Sequence, residues 1–258
     1  TRSHCDWSSD VCSSDLTDHV FCVPGESFLS ALDGLHGMES IRTVICRQEG
    51  GAAMMADAYG KLTHRPGVCF VSRGPGASNA ASGIHIASQD STPLVMFVGQ
   101  IERSTTGREA FQEIDYRAMF GYAAKRVEQI EDVDRIPEVV SRAFHTAVNG
   151  RAGPVVVALP EDMLRDTTTA QPVALFRRIE PAPGAAAVAE FEERLKAARK
   201  PIMIVGGRGW RPDTKEKIQQ FSEDWDLRVV AGFRFQDCVD NDHRSEERRV
   251  GKECRSRW

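Results

Sequence analysis

The feature that most constrains the fold is a series of short apolar runs without polar alternation, separated by segments of helical period. A strand with one face in water alternates apolar and polar residues, whereas a strand covered on both faces is apolar throughout. The runs lie at residues 20–23, 42–46, 68–71, 93–99 and 154–159, with a further candidate for a short strand at 122–127. Helices are predicted at residues 27–35, 50–62, 79–88 and 136–148. The pattern predicts a doubly wound parallel sheet in an α/β domain spanning residues 17–160.

A second and shorter α/β pattern follows. Residues 161–184 contain several Pro and Thr and are predicted to form a linker. Residues 185–243 read as helix, strand, helix and strand, which predicts a partial second α/β domain. A glycine-rich turn begins at Gly206, but the dinucleotide pattern that starts at Gly207 meets Pro212 in place of its last Gly. A plain strand-to-helix turn is therefore favoured over a dinucleotide site.

The two ends differ in composition from the rest of the chain. Residues 1–16 are rich in Ser, Asp and Cys, and residues 244–258 are a run of Arg, Glu and Lys. Residues 244–247 can be encoded by AGATCGGAAGAG. Extended by one base to AGATCGGAAGAGC, its reverse complement, read in frame after a T, encodes residues 12–15. We interpret both ends as a translated sequencing adapter, leave them out of the fold prediction, and expect the chain to be part of a longer gene product. The alternative is a natural charged tail and a disulfide-bearing head.

Charge and cysteine content narrow the classes of protein that fit. The formal net charge of −4 argues against a nucleic-acid or anionic-membrane partner. No apolar stretch approaches the roughly 20 residues that a membrane helix needs. The cysteines outside the two ends are Cys22, Cys46, Cys69 and Cys238, and none has the spacing of a zinc site. They are predicted to be buried, reduced thiols in a cytoplasmic protein.

Polar and glycine-rich segments follow the predicted strands at the edge where ligands bind in open parallel sheets. Each segment also has a purely structural interpretation. Pro24-Gly25 is a common turn, Glu49 can serve the dipole of its helix, and Gly74-Pro75-Gly76 can be a tight helix entry or an anion site. The last of these lacks the Gly-Lys-Ser/Thr ending of a nucleotide triphosphate loop. Their convergence at one edge predicts a binding site.

Taken in order, these segments resemble the pyrimidine-binding domain of thiamine diphosphate enzymes, and most closely that of acetolactate synthase large subunits and their relatives. The segments that carry the resemblance are residues 21–27, 47–60, 74–79, 90–94, 99–100 and 110–113. Residues 150–156 are similar to the motif that closes this domain, and residues 200–207 to the start of the family's central domain. The resemblance covers essentially all of residues 17–243.

The resemblance implies that Glu49 and Gln112 are catalytic. In this family the matching Glu hydrogen-bonds N1′ of the cofactor's aminopyrimidine. That contact favours the imino tautomer, whose nitrogen can take the weakly acidic C2 proton of the thiazolium. A 2-oxo acid then adds to the cofactor and loses CO₂, with the thiazolium as electron sink. The matching Gln faces the reacting centre.

The resemblance also implies the rest of the site and its partners. Gly25, Pro75 and Asn79 should line the pocket that holds thiamine diphosphate, while Phe111 and Lys125 should lie on the approach of the substrate, a small 2-oxo acid. Mg²⁺ is bound by the family's diphosphate domain, whose Gly-Asp-Gly…Asn segment does not occur in this sequence, so no metal ligand is assigned here. FAD binding by the central domain is left open. The cofactor lies between two subunits, which implies a homodimer or homotetramer and an inactive chain on its own.

Three functions remain open at this point. The first is an acetolactate synthase-like carboligase that acts on 2-oxo acids. The second is another thiamine diphosphate-dependent decarboxylase or lyase, acting on an aromatic 2-oxo acid or an acyl-CoA. It is kept because Val23 stands where close synthases often have Tyr, and Glu26-Ser27 replaces a smaller Gly-Ala pair. The third is a non-catalytic α/β module that binds a nucleotide.

Overall fold

The computed structural model describes residues 17–239 except 172, 174–177, 208–209 and 211. The two terminal stretches that we interpret as adapter lie outside the described residues, as does part of the glycine-rich turn after Gly207. The chain divides into two compact units between Ile179 and Glu180, a point inside the predicted linker. The domain boundaries at residues 160 and 185 remain predictions.

The first unit alternates strands and helices along the chain. Its strands are β1 His19–Cys22, β2 Arg42–Ile45, β3 Gly67–Val71, β4 Leu94–Gln100, β5 Arg126–Gln129 and β6 Pro154–Pro160. Its α-helices are α1 Leu29–Leu35, α2 Glu49–Thr63, α3 Pro75–Asp90, α4 Tyr116–Phe120 and α5 Ile136–Val148. Single turns of 3₁₀-helix at Glu26–Phe28, Arg103–Thr105, Val133–Arg135 and Met163–Arg165 complete the described elements of this unit.

The six strands form one sheet in the order β2-β1-β3-β4-β6-β5, and every neighbouring pair is parallel. The central register places Phe21 beside Cys69, Cys69 beside Met96, and Met96 beside Val156. The order changes direction after β2, as it must in a doubly wound sheet. The predicted α/β fold is therefore confirmed, and the carboxyl ends of all six strands meet at one edge.

Both faces of this sheet are covered, which explains why its central strands are apolar throughout. All five residues of β3 are buried, and they alternate between two cores. Phe70 packs with aromatic residues on the face covered by α1 and α5, whereas Cys69 and Val71 pack with alanines on the face covered by α2 and α3. The rings of Phe70 and Phe97 stack with centroids 4.7 Å apart.

The structure differs from the sequence prediction at three elements. Helix α3 begins at Pro75 rather than at residue 79, because Pro at the first helical position loses no hydrogen bond. The strand predicted at residues 122–127 lies at Arg126–Gln129. The short helix α4 was not predicted. It forms where the Asp115 carboxylate accepts hydrogen bonds from the N–H groups of Arg117 and Ala118.

The second unit has its own parallel pair of strands. Its elements are α6 Ala185–Ala197, β7 Ile202–Val205, α7 Pro212–Asp224, β8 Arg228–Ala231 and a 3₁₀ turn at Gln236–Cys238. Ile204 stands beside Val230 in the strand register. Val205, Val229 and Cys238 form its small core. The order of helix, strand, helix and strand predicted for this part of the chain is confirmed.

The four cysteines of the described residues are free and buried, as predicted, and burial raises the pKa of the Cys22 thiol to about 12. Such thiols stay protonated and unreactive at neutral pH. No helix among the described residues has both the length and the apolar content needed to cross a bilayer.

Candidate active site

The carboxyl edge of the sheet places Glu49 at the first position of α2. The loop before it is tied to the neighbouring strand, because the N–H of Cys46 donates to the carbonyl of Cys22 at 2.7 Å. Gln48 caps the helix, and its Oε1 accepts from the N–H of Gly51 at 2.7 Å. These hydrogen bonds fix the backbone around Glu49. Its side chain is partly exposed, so the carboxylate is accessible to a ligand.

A second helix start holds the Glu49 carboxylate in place. Asn79, in the second turn of α3, donates a hydrogen bond from Nδ2 to Glu49 Oε2 at 2.9 Å. The other carboxylate oxygen lies 3.6 Å from the position that a Cβ would take at Gly76. Within the described part of the chain, Glu49 takes part in no ion pair. The carboxyl is therefore oriented by a neutral amide and is not neutralised by a basic group.

Small residues allow α2 and α3 to approach closely enough for this contact. A Cβ at Gly50 would lie 3.0 Å from the carbonyl oxygen of Asn79, and one at Gly83 would lie 2.5 Å from the Cβ of Ala53. The distance at Gly83 is shorter than two carbon atoms tolerate, and at Gly50 a side chain would fit only if its neighbours moved. The alanine- and glycine-rich sequence of both helices thus brings their N-termini to the same point of the sheet edge.

A tight turn at residues 73–76 connects β3 to α3. Gly74 has φ 58° and ψ −107°, and the N–H of Gly76 donates to the carbonyl of Arg73 at 3.4 Å. This is the geometry of a type II′ turn, whose second position requires glycine. Pro75 occupies the third position and opens the helix, where it is exposed. The Gly-Pro-Gly motif is therefore explained by a turn that presents the start of α3.

Gln112 packs directly against this turn. A Cβ at Gly74 would lie 2.8 Å from the Cβ of Gln112, and Gln112 itself has a left-handed backbone with φ 66°. Its loop is folded by Glu113, whose carboxylate accepts from the N–H groups of Gly107 at 2.6 Å and Ala110 at 3.0 Å. Phe111 is 75% exposed beside it. The loop therefore delivers Gln112 to the edge and leaves an aromatic ring in solvent.

Tyr116 is a site residue that the sequence did not reveal. Its buried hydroxyl accepts from the N–H of Gly74 at 3.3 Å and donates to the carbonyl of Gly99 at 2.8 Å. Burial raises the pKa of this hydroxyl to about 12. The residue joins the turn after β3, the end of β4 and the loop that carries Gln112. No sequence pattern signals a contact between residues this far apart in the chain.

Gly25 is required by packing and not by its backbone angles. Its φ of −148° is extended backbone that any residue adopts. A Cβ there would lie 2.7 Å from the Cβ of Ser72, so a side chain would push the loop after β1 away from the loop after β3. The hydroxyls of Ser27 and Ser72 hydrogen-bond at 3.0 Å across the same junction.

Within this chain Lys125 lies at the opposite edge of the sheet from these residues, and its predicted place on the substrate approach stays a prediction. Its N–H donates to the carbonyl of Pro154, at the amino end of β6, and its ammonium donates to the carbonyls of Thr146 and, at 2.7 Å, Asn149 at the end of α5. Burial lowers the pKa of this ammonium. Seven residues of β4 separate the two edges by about 20 Å. Lys125 therefore caps a helix C-terminus.

The structure thus brings Glu49, Gln112, Pro75 and Asn79 together at the carboxyl edge, with Gly25 supporting the adjacent loop. The accessible carboxylate and the exposed start of α3 fit an aminopyrimidine ring, because a carboxyl is the partner that a ring nitrogen such as N1′ requires. Among the described residues, no group of three or more His, Cys, Asp or Glu side chains could hold a metal ion. The residues gathered at this edge therefore fit the pyrimidine ring of thiamine diphosphate.

Two family models match the chain. The thiamine pyrophosphate enzyme N-terminal TPP-binding domain matches residues 6–119, and the thiamine pyrophosphate enzyme central domain matches residues 188–254. The chain belongs to the thiamine pyrophosphate enzymes, as the resemblance implied. Both ranges extend into the terminal stretches, so the adapter interpretation stays a prediction.

Within this family, the chain is similar to acetolactate synthases. It is 33% identical over 231 residues to acetolactate synthase of Mycobacterium bovis, covering 88% of this chain and 37% of the relative. It is 34% identical over 219 residues to the acetolactate synthase large subunit of Corynebacterium glutamicum, covering 83% and 35%. It is 34% identical over 220 residues to the acetolactate synthase isozyme 3 large subunit of Escherichia coli, covering 83% and 38%. The chain therefore spans less than two fifths of the length of these relatives.

Proposed function

We propose that the full-length protein containing this chain is a thiamine diphosphate-dependent carboligase that acts on 2-oxo acids, similar to acetolactate synthase. The family match and the acetolactate synthase relatives support the class of reaction. The observation that carries the proposal is the hydrogen bond of 2.9 Å by which Asn79 orients the Glu49 carboxyl at the sheet edge. A residue serving only the helix dipole needs no such partner from a second helix.

In this proposal Glu49 exchanges a proton with N1′ of the aminopyrimidine. Its position at the start of α2 and its bond from Asn79 hold one oxygen, so the other is presented in a defined direction. Pro75 and Asn79 line the ring, and Gly25 keeps the loop after β1 close enough to close the pocket. When bound, thiamine diphosphate supplies a thiazolium that accepts the electron pair released as a 2-oxo acid loses CO₂.

Gln112 is proposed to contact the reacting centre, since its backbone packs on the same turn that opens α3. Its amide can donate to and accept from a carbonyl substrate. The exposed ring of Phe111 borders the approach to it. Lys125 on the substrate approach stays a prediction, since within this chain it lies at the other edge of the sheet.

The second candidate is another decarboxylase or lyase of the family. It is favoured by the edge residues Val23 and Glu26, which the resemblance marks as departures from close synthases, and by the pairing of Glu26 with Arg73 at 3.1 Å. The non-catalytic nucleotide module gains no support from the family match. A substrate panel of pyruvate, an aromatic 2-oxo acid and an acyl-CoA separates the two catalytic candidates.

The proposal extends to the finer properties that the family implies. Mg²⁺ would be held by residues outside this chain, the protein would be a cytoplasmic homodimer or homotetramer, and FAD in the central domain is the remaining cofactor to test. Sedimentation measures the oligomer, and the visible absorption spectrum of the purified full-length protein reports FAD.

The proposal is tested by Glu49→Gln in the full-length protein, with the exposed Glu39→Gln as matched control. Removing a general acid–base group lowers turnover by about 10²–10⁴-fold. For Glu49→Gln we expect a decrease of this size in the rate of pyruvate consumption, with an unchanged melting temperature. Glu39→Gln should keep the turnover of the wild type. Turnover of Glu49→Gln within threefold of the wild type would contradict the proposed function.

A further inference from the structure

Arg73 lies at the centre of the carboxyl edge and joins two loops of the sheet. Its side chain is only 11% exposed. One guanidinium nitrogen donates to Glu161 Oε2 at 2.9 Å and the other to Glu26 Oε1 at 3.1 Å. Glu26 follows β1 and Glu161 follows β6, so this cation joins the loops after two strands that β3 and β4 separate.

The main chain of Arg73 is part of the turn that opens α3. Its carbonyl accepts the hydrogen bond from Gly76 that closes the turn, and its N–H donates to the hydroxyl of Ser27 at 3.3 Å. Arg73 is therefore the first residue of the turn and is held by both its backbone and its side chain. On the other side, the turn is held by the hydroxyl of Tyr116 on Gly74.

This turn contacts three residues of the proposed active site. Gly74 packs on Gln112, Gly76 lies beside the Glu49 carboxylate, and Asn79 follows one turn later in the same helix. A Cβ at Gly74 would lie only 2.8 Å from the Cβ of Gln112, so even a small displacement of the turn moves the loop that carries Gln112. Any group that sets the position of the turn also sets the spacing of these side chains.

The guanidinium is an unfavourable choice if its purpose is stability alone. Its Nε is buried and has no hydrogen-bond partner among the residues that the structure describes, and a buried polar group left unpaired is costly. The pairing with Glu26, whose side chain is 68% exposed, is worth little because water screens it. The more buried carboxylate of Glu161 is therefore the main anchor.

We propose that Arg73 is a positioning residue that fixes the turn before α3, and with it the spacing of Glu49, Asn79 and Gln112 required for cofactor binding. This inference rests on the proposed function. Its consequence is specific. Loss of the guanidinium weakens the binding of thiamine diphosphate more than it lowers the turnover of the saturated enzyme, because the catalytic carboxyl itself is retained.

The experiment compares Arg73→Gln, Arg73→Lys and Glu161→Gln with Arg142→Gln in the full-length protein. Arg142 on α5 is the matched control, because its guanidinium also pairs with two carboxylates, those of Glu128 and Glu138, away from the proposed site. The apparent KM for thiamine diphosphate, the kcat at saturating cofactor and the melting temperature are measured for each.

We expect Arg73→Gln to raise the KM for thiamine diphosphate about tenfold, the factor that corresponds to one charge-assisted hydrogen bond. The kcat should fall less than threefold, and Glu161→Gln should act in the same direction. Arg73→Lys should recover part of the loss, and Arg142→Gln should leave the KM unchanged.

Two outcomes overturn the inference. If Arg73→Gln and Arg142→Gln lower the melting temperature alike and both keep a wild-type KM, Arg73 is only a structural ion-pair partner. If Arg73→Gln does not fold, a wild-type KM for both Arg73→Lys and Glu161→Gln likewise reduces Arg73 to a structural role. A wild-type enzyme without any response to thiamine diphosphate is a different result, because it removes the proposed function itself.

Discussion

Asp18 precedes β1 and ties the start of this strand to the end of α2. Its Oδ1 accepts from the Nδ1 of His19 and the hydroxyl of Tyr59, each at 2.6 Å, and its Oδ2 pairs with Arg65 at 3.1 Å. The hydrogen bonds from His19 and Tyr59, aided by the charge of Arg65, lower the pKa of Asp18 from 3.8 to about 2. The depressed pKa means that the folded state favours the ionised carboxylate.

This shift predicts the acid dependence of stability. A lowered carboxyl pKa contributes stability that is complete above the unfolded pKa of 3.8 and is lost as the pH falls through about 2. Asp18→Asn should therefore lower the free energy of unfolding at pH 7. The difference in this free energy between the variant and the wild type should shrink as the pH falls from 4 to 2. Urea denaturation across this range measures it, with the exposed Asp33→Asn as control. A difference that stays constant with pH would contradict the assignment.

Single residues of the site were predictable only where a local pattern or the family resemblance marked them. Glu49 and Asn79 lie in such motifs, and the structure brings them within 2.9 Å. Arg73 and Tyr116 lie beside motifs, but the partners of their side chains are 17 to 88 residues away in the chain, so no local pattern reveals them. Lys125 shows a second limit, because a motif gives order along the chain and not the edge of the sheet on which a residue falls.

The proposed site depends on the close packing of helix α2 against helix α3. Gly83 is the point of closest approach, since a Cβ there would lie 2.5 Å from the Cβ and 3.0 Å from the carbonyl carbon of Ala53. Gly51 lies in the first turn of α2, where the nearest atom to an added Cβ is 3.9 Å away. The same substitution therefore has opposite expected effects at the two positions.

Gly83→Ala should destabilise the protein by about 1–3 kcal/mol, because the two helices must separate to admit the methyl group. Gly51→Ala should instead stabilise it by up to about 1 kcal/mol, because Ala has the higher helix propensity and nothing is displaced. Midpoints of urea denaturation compare the two variants. If Gly83→Ala were as stable as the wild type, the close packing of α2 on α3 would be refuted.

Elements were predictable to the extent that burial left a mark on the sequence. The central strands are apolar on both faces, and their positions followed from that property alone. Strand β5 lies at the edge of the sheet and is only partly buried, so its apolar pattern is weak. Its start was predicted four residues too early. Helix α4 has five residues, too few to show a helical period.

At the largest scale, the sheet of the first unit gathers the residues of the proposed site at one edge. Parallel topology collects the ends of four loops at one edge, which the order of strands and helices predicts without any knowledge of contacts. The position of each side chain within that edge comes from long-range hydrogen bonds, such as that of Gln100 Nε2 to the carbonyl of Ile114 at 2.8 Å. The topology of the sheet was therefore predictable from the sequence, whereas the positions of the side chains at its edge were not.

The isolated chain is expected to lack catalytic activity. The described residues offer a carboxyl for the pyrimidine ring but no cluster of metal ligands, and the sequence contains no Gly-Asp-Gly segment of the kind that holds the diphosphate in this family. We expect the isolated chain, supplied with thiamine diphosphate and Mg²⁺, to form no acetolactate from pyruvate, whereas the full-length protein forms it under the same conditions. Circular dichroism establishes that the isolated chain is folded, so that inactivity cannot be ascribed to unfolding. Acetolactate formed by the folded chain alone would show that these residues suffice for catalysis and would overturn the division of the site between two domains.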